Sequence, residues 1–281
     1  MTAMTNLTGR LPAGAPRVRP GVLVGLGVVV AYAALVGVDD VLPGGGDGDI
    51  TDPTLAFLRT HVLPLSIIGA LLVGFVRWSG WWRDVWRERP GQRVPRWWLA
   101  FPVLYAVAVA GSLVTADWSS GATYLLVLLV GTLLVGFTEE LALRGILLTG
   151  ARGSMPEIAA LLLTCVVFGA LHALNLLHGA PVGPTLVQIA GTAGFGAIYY
   201  AIRRATGFLW PAMLLHALND FARYAQPTDA DGGTPDPPGW AVGANMVIGV
   251  LGIAMLVSVL RERRRATAAT AAASTRSSGG L

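Results

Sequence analysis

The chain has 281 residues, 54% of them hydrophobic and 13% charged, with a formal net charge of +4. A water-soluble domain carries about 25% charged residues, so the composition excludes an ordinary soluble surface, and the length divides more naturally into membrane spans. Every basic residue is arginine, and the arginines fall in short clusters beside apolar runs. That pattern does not suggest a nucleic-acid-binding surface and reads more simply as topology determinants.

A span needs roughly 20 mostly apolar residues. In chain order about eight candidates appear, near residues 21–38, 56–76, 97–116, 123–149, 157–177, 185–202, 208–225 and 240–260. Residues 1–19 and the Ala/Thr/Ser-rich residues 263–281 read as disordered termini. The sequence thus predicts an all-α, polytopic transmembrane helix bundle over 20–262. Within the first span, Ala31-Tyr32-Ala33 resembles a signal-peptidase site, and cleavage there would leave seven spans.

Loop charges provide an independent test of this layout. Arg10, Arg17 and Arg19 precede the first span, and the first loop is acidic (Asp39, Asp40, Asp47, Asp49, Asp52). The second loop is basic, from Arg77 to Arg96, and the third carries Asp117. Arg152 lies in the fourth, the fifth is uncharged, and Arg203 and Arg204 lie in the sixth. The seventh is acidic (Asp229, Asp231, Asp236), and the tail opens with Arg261, Arg263, Arg264 and Arg265. Arginine on every second loop predicts that both termini are cytoplasmic. Trp81, Trp82, Trp86, Trp97 and Trp98 suit a cytoplasmic interfacial belt. The absence of lysine and the wealth of Ala, Gly and Val resemble the product of a GC-rich bacterial genome, which predicts a bacterial plasma membrane. The single cysteine, Cys165, excludes an intramolecular disulfide and a cysteine metal cluster.

Ionisable residues inside the spans are the functional signal: Glu139, Glu140 and Arg144 in the fourth, His172 in the fifth, and His216 and Asp220 in the seventh. Each costs about 2.5–3.5 kcal/mol at a helix centre unless it meets a partner. At 1.5 Å per residue, Glu139 lies roughly 15 Å from the cytoplasmic end of its helix, His216 about 14 Å, Asp220 about 20 Å and His172 about 22 Å. One site near the bilayer middle could collect all four. Glu140 and Arg144 are i, i+4 and form a candidate charge pair, while Glu139 is rotated about 100° away. His216 and Asp220 are also i, i+4, so the carboxylate can fix the imidazole tautomer. Two histidines and a free carboxylate around a water constitute a hydrolytic set, acting directly or through a metal.

The segments Glu139-Glu140-Leu141-Ala142-Leu143-Arg144, Phe168-Gly169-Ala170-Leu171-His172 and His216-Ala217-Leu218-Asn219-Asp220 resemble the motifs of the CAAX protease and bacteriocin-processing (CPBP, or Abi) family of intramembrane endopeptidases. The resemblance covers 123–225, the expected protease core. It departs at Asp220, where many members have Asn and this chain has Asn219 one position earlier. It implies Glu139 as the base that activates water, and Glu140 and Arg144 as the groups holding the geometry. His172 and His216 would stabilise the oxyanion or ligate a divalent metal such as zinc, with Glu139 completing the ligand set, and Asp220 would orient His216. It also implies a hydrophobic or membrane-associated peptide substrate, lipid surroundings and no nucleic acid.

Other mechanisms fit less well. There is no His-Glu-x-x-His and no serine in a rhomboid-like setting, and Gly46-Asp47-Gly48-Asp49 lies in a loop rather than a span. A non-proteolytic scaffold for hydrophobic peptides is the main alternative. An ion-coupled transporter is a further one, although paired broken helices are absent. Phe168 and Cys165 read as packing residues, and His61 and His178 as interfacial.

Overall fold

The computed structural model describes residues 16–37, 50–89, 94–177 and 179–227, with 247, 251–252 and 254–261 further along. Residues 1–15, the acidic stretches at 38–49 and 228–240, His178, most of the expected eighth span and the tail after 261 lie outside the described residues. The described part is helical, without a strand; its one β-type contact is an isolated bridge between Arg87 and Phe208.

The helices are α1 (Val22–Gly37), α2 (Pro53–Ser79), α3 (Trp82–Trp86), α4 (Arg96–Val114), α5 (Ala122–Arg152), α6 (Glu157–Leu176), α7 (Val182–Thr206) and α8 (Trp210–Tyr224). Their ends follow local chemistry. Asp52 caps α2, its Oδ1 accepting from the backbone N–H groups of Thr54 (2.7 Å) and Leu55 (3.2 Å), with Pro53 at the first turn. The backbone N–H groups of Leu55 and Thr54 hold the Asp52 carboxyl below its ordinary range. α2 stops at Gly80 and α7 at Gly207, both left-handed, at φ +84° and +80°.

Among the described residues, five helices (α2, α4, α5, α6 and α7) are long and apolar enough to cross a bilayer. Their apolar windows are only 33–44% buried within the protein, which leaves a broad outward apolar surface suited to lipid tails. Two expected spans are shorter than the apolar runs suggested. α1 has 16 residues and α8 has 15, below the roughly 20 that a perpendicular crossing needs. Residues 207–209 are apolar but lie outside the helix, Gly207 being left-handed and Phe208 bridging Arg87. Glu88 N–H donates to Gly207 O (2.9 Å) and Leu209 N–H to Trp86 O (3.2 Å), so α8 starts later than hydropathy implies.

The expected aromatic belt divides. Trp81 and Trp98 are fully buried, whereas Trp78, Trp82 and Trp97 are exposed. The indole of Trp81 donates to Val18 O (2.7 Å), and Val18 N–H donates to Ser79 O (3.2 Å). Residues 16–19 are therefore held against the α2 terminus, although composition had placed them in a disordered segment.

Three arginines expected in cytoplasmic loops are instead buried: Arg152, Arg203 and Arg204. Arg152 pairs with Glu88 (2.8 Å) and Glu157 (2.5 Å). Glu157 also accepts from Tyr200 Oη (2.7 Å), itself an acceptor for Arg204 Nη1 (2.7 Å). Arg203 Nη2 donates to the carbonyls of Asp84 (2.6 Å) and Arg87 (3.2 Å), and its Nη1 to the carbonyl of Arg144. This network ties α3 and the stretch after it to the same end of α5, α6 and α7. A buried charge is tolerated where it is paired and hydrogen-bonded.

Candidate active site

Glu139 and Glu140 end the regular part of α5, and Leu141–Leu147 continues as a π-helical segment whose seven residues are all buried. Such π segments inside α-helices recur at functional sites. Glu140 and Arg144 are both fully buried and joined at 2.9 Å (Oε1 to Nη1). The Arg144 guanidinium lies over the ring of Phe168, its Cζ 4.1 Å from the centroid, and 5.5 Å from that of Tyr199. These faces compensate Nε and Nη2, which have no hydrogen-bond acceptor among the described residues. Gly196 on α7 admits the guanidinium: a Cβ there would lie 2.7 Å from Arg144 Nη2.

α8 delivers His216 because Gly136 lets it approach α5 closely. A Cβ at Gly136 would fall 2.5 Å from Met213 O and 2.8 Å from Ala217 N, the small-residue contact common between membrane helices. His216 Nδ1 donates to Glu140 Oε1 at 3.1 Å. Its Nε2 lies 3.4 Å from Asp220 Oδ2 and 3.8 Å from Glu139 Oε2. Both ring nitrogens thus face carboxylates. Asn219 Nδ2 donates to Asp220 Oδ1 at 3.4 Å, so Asp220 touches the imidazole and Asn219 supports it. The His216 ring is stacked on Tyr199 and meets the edge of Phe168, with centroids 4.6 and 5.7 Å apart respectively.

His172 opens the 3₁₀ turn that ends α6. Its Nδ1 donates to Phe168 O at 3.1 Å, which leaves Nε2 for a ligand. It has no direct polar contact with the other five residues. It joins them through Phe168, which stands between the two imidazoles, and through a cavity of about 120 Å³ lined by both His172 and Glu139. Tyr32 and Val36 of α1 and Leu171 and Leu174 of α6 supply apolar wall. Of the adjacent glutamates, Glu139 therefore faces the cavity and Glu140 faces the protein, as the 100° rotation requires.

Among the described residues, no three His, Cys, Asp or Glu side chains converge as ligands, and both nitrogens of His216 face carboxylates.

Several participants carry no motif. Tyr199 stacks on His216, and its hydroxyl pairs with that of Tyr105 at 2.9 Å. Tyr32 helps to form the cavity from the far N-terminal side. The available signal was a tyrosine hydroxyl inside an apolar span, which requires a partner when buried. Cys165 is buried against α7 and Phe168 is packed at the centre. His61 sits in α2, stacked on Phe57 at 4.1 Å.

An apolar helix bundle whose carboxylates and imidazoles cluster beside a cavity lined by Glu139 and His172 is that of a multi-pass membrane protein with a buried acid–base site. Residues 121–222 match the family described as type II CAAX prenyl endopeptidase Rce1-like, a match covering 102 of the 281 residues. Over these residues, which hold Glu139, His172 and His216, the chain is similar to the CAAX-processing endopeptidases. No curated protein and no solved structure matches the chain.

Proposed function

We propose that this protein hydrolyses peptide bonds of a hydrophobic or membrane-associated peptide, using Glu139, His172 and His216 without a resident metal. The observation that carries this reading is the position of Glu139. It lines the cavity together with His172, and its Oε2 lies 3.8 Å from His216 Nε2.

A water in the cavity is held between Glu139 and His172 Nε2. Glu139 takes its proton as the oxygen attacks the scissile carbonyl carbon. His216 Nε2–H, turning from Asp220, then donates to the oxyanion, its ring held by Glu140 at Nδ1 and by Tyr199 beneath. The C–N bond breaks as Glu139 returns the proton to the leaving amine. Arg144 offsets the charge of Glu140 and keeps that carboxylate in place. Charge alternation along the loops supports cytoplasmic termini, and composition supports a bacterial plasma membrane.

The test is proteolysis by protein purified in detergent or liposomes, against a library of leucine-rich peptides with fluorogenic reporters. Glu139→Ala and His172→Ala are expected to abolish cleavage while retaining the wild-type melting temperature, and a chelator is expected to have no effect. Folded variants that cut as well as wild type would overturn the assignment, and loss of activity in chelator would replace direct Glu/His chemistry with metal chemistry.

A further inference from the structure

Outside the six motif residues, the cavity has one further polar side chain on the His172 wall. Asn175 lines it, only partly buried, on the same 3₁₀ turn (His172–Leu176). In a 3₁₀ helix residues i and i+3 eclipse, so His172 and Asn175 stand one above the other on the face that opens to Glu139. Asn175 Nδ2 donates to Gln188 Oε1 of α7 at 2.9 Å. That bond orients the amide and leaves its Oδ1 and second N–H for a ligand. The other α6 residues of this wall, Leu171 and Leu174, are apolar, and Tyr32, Val36 and Gly37 of α1 line the remainder.

An extended peptide entering such a site brings unpaired backbone N–H and C=O groups into surroundings that cannot solvate them. An amide is the side chain that can serve both, since it donates and accepts. Position sets the register. Three residues at about 2.0 Å rise separate His172 from Asn175 by about 6 Å, and an extended strand advances about 3.3 Å per residue. We propose that Asn175, held by Gln188, hydrogen-bonds the main chain of the substrate about two residues from the scissile bond. The inference rests on the proteolytic reading for its cleavage register, but not for peptide binding itself.

The test is an amide-to-ester scan of a leucine-rich fluorogenic peptide on wild type, Asn175→Ala, Asn175→Leu and Gln188→Ala. With wild type, one ester about two residues from the cleaved bond is expected to lower kcat/KM about tenfold, through KM. Asn175→Ala and Asn175→Leu are expected to lose about the same factor and to become indifferent to that ester. Gln188→Ala, which frees the amide without removing it, is expected to fall between. A wild-type scan that is flat at that distance would overturn the proposal whether or not the variants fold, as would Asn175 variants that keep wild-type KM. Anisotropy of the same labelled peptide on Glu139→Gln protein separates this from catalysis. If wild type cuts nothing while Glu139→Gln binds the peptide and loses it on adding Asn175→Ala, the protease reading falls and the peptide site stands. If that binding ignores Asn175, this inference falls whatever wild type cleaves.

Discussion

Tyr199 lies flat against His216, the ring centroids 4.6 Å apart and the planes within 15° of parallel, and its hydroxyl reaches Tyr105 at 2.9 Å. The two tyrosines come from α7 and α4, so two helices without a recognisable motif fix the plane of an imidazole on a third. The face of His216 is set by stacking, and its rotation in that plane by Glu140 and Asp220.

Replacing Tyr199 separates these contributions. Tyr199→Phe keeps the stacked ring and loses one hydroxyl pair, which costs about 1 kcal/mol and leaves most of the activity. Tyr199→Ala opens a cavity beside His216 and costs about 3–5 kcal/mol, and the freed imidazole lowers kcat far more than KM. Melting curves in detergent, paired with cleavage kinetics, distinguish the two. Equal losses in both variants would mean that the hydroxyl pair and not the stack holds the ring.

The pair Glu140–Arg144 calls for a different experiment because both ends are fully buried. Removing either partner leaves an uncompensated charge among apolar helices and is expected to cost about 3–5 kcal/mol. The double change Glu140→Leu with Arg144→Met removes both charges and is expected to recover most of that loss. Activity is expected to stay at least about a hundredfold down, since His216 Nδ1 has lost its acceptor. A double variant that regains both stability and activity would reduce the pair to packing.

Much of this site could be read from local sequence. Glu140 with Arg144 and His216 with Asp220 are i, i+4 pairs, so helix geometry alone brings each together, and the 100° turn between Glu139 and Glu140 separates a cavity-facing carboxylate from a protein-facing one. What could not be read depends on contacts distant along the chain. Tyr199 finds Tyr105 across 94 residues, and Arg203 reaches the Arg144 carbonyl across 59; neither separation leaves a period or motif. Arg152, Arg203 and Arg204 were legible as loop arginines and were misplaced for the same reason, since their carboxylate partners Glu88 and Glu157 lie on other segments. The length of α8 was overestimated because hydropathy counts Phe208 and Leu209 as helix, whereas Phe208 bridges Arg87 and Leu209 N–H bonds the Trp86 carbonyl at the end of α3.

Gly136 tests how closely α8 must approach α5. A methyl group there would lie 2.5 Å from Met213 O, a backbone atom that cannot swing aside, so Gly136→Ala has to push α8 outward. His216 sits three residues beyond Met213, and a displacement of about 1 Å at a reacting group costs on the order of a hundredfold in rate. Gly74→Ala is the matched control. It lies on exposed α2 surface with nothing within 4 Å of the added carbon, and it is expected to gain up to about 1 kcal/mol from helix propensity with unchanged cleavage. Equal activity in the two alanine variants would show that the α5–α8 contact tolerates slack.

Arg203 is the residue through which the buried charge network touches the site. Its guanidinium donates to the carbonyls of Asp84, Arg87 and Arg144, the last within the π segment that carries the Arg144 side chain to Glu140. A planar fork with several fixed N–H directions can meet three carbonyls at once, whereas a lysine ammonium on a flexible stem cannot. Arg203→Lys therefore keeps the charge that Glu88 faces at 3.5 Å but releases part of the carbonyl set. It is expected to lose about 2 kcal/mol of stability and, well below its melting temperature, about tenfold in kcat. Arg203→Ala also leaves Glu88 with one partner fewer and is expected to cost about 3–5 kcal/mol. Because Arg152 still pairs with Glu88 at 2.8 Å, this variant is expected to fold at low temperature, where its kcat can be compared with that of Arg203→Lys. A stability loss with full kcat in both would confine Arg203 to stapling the helix ends, with the Arg144 carbonyl a bystander.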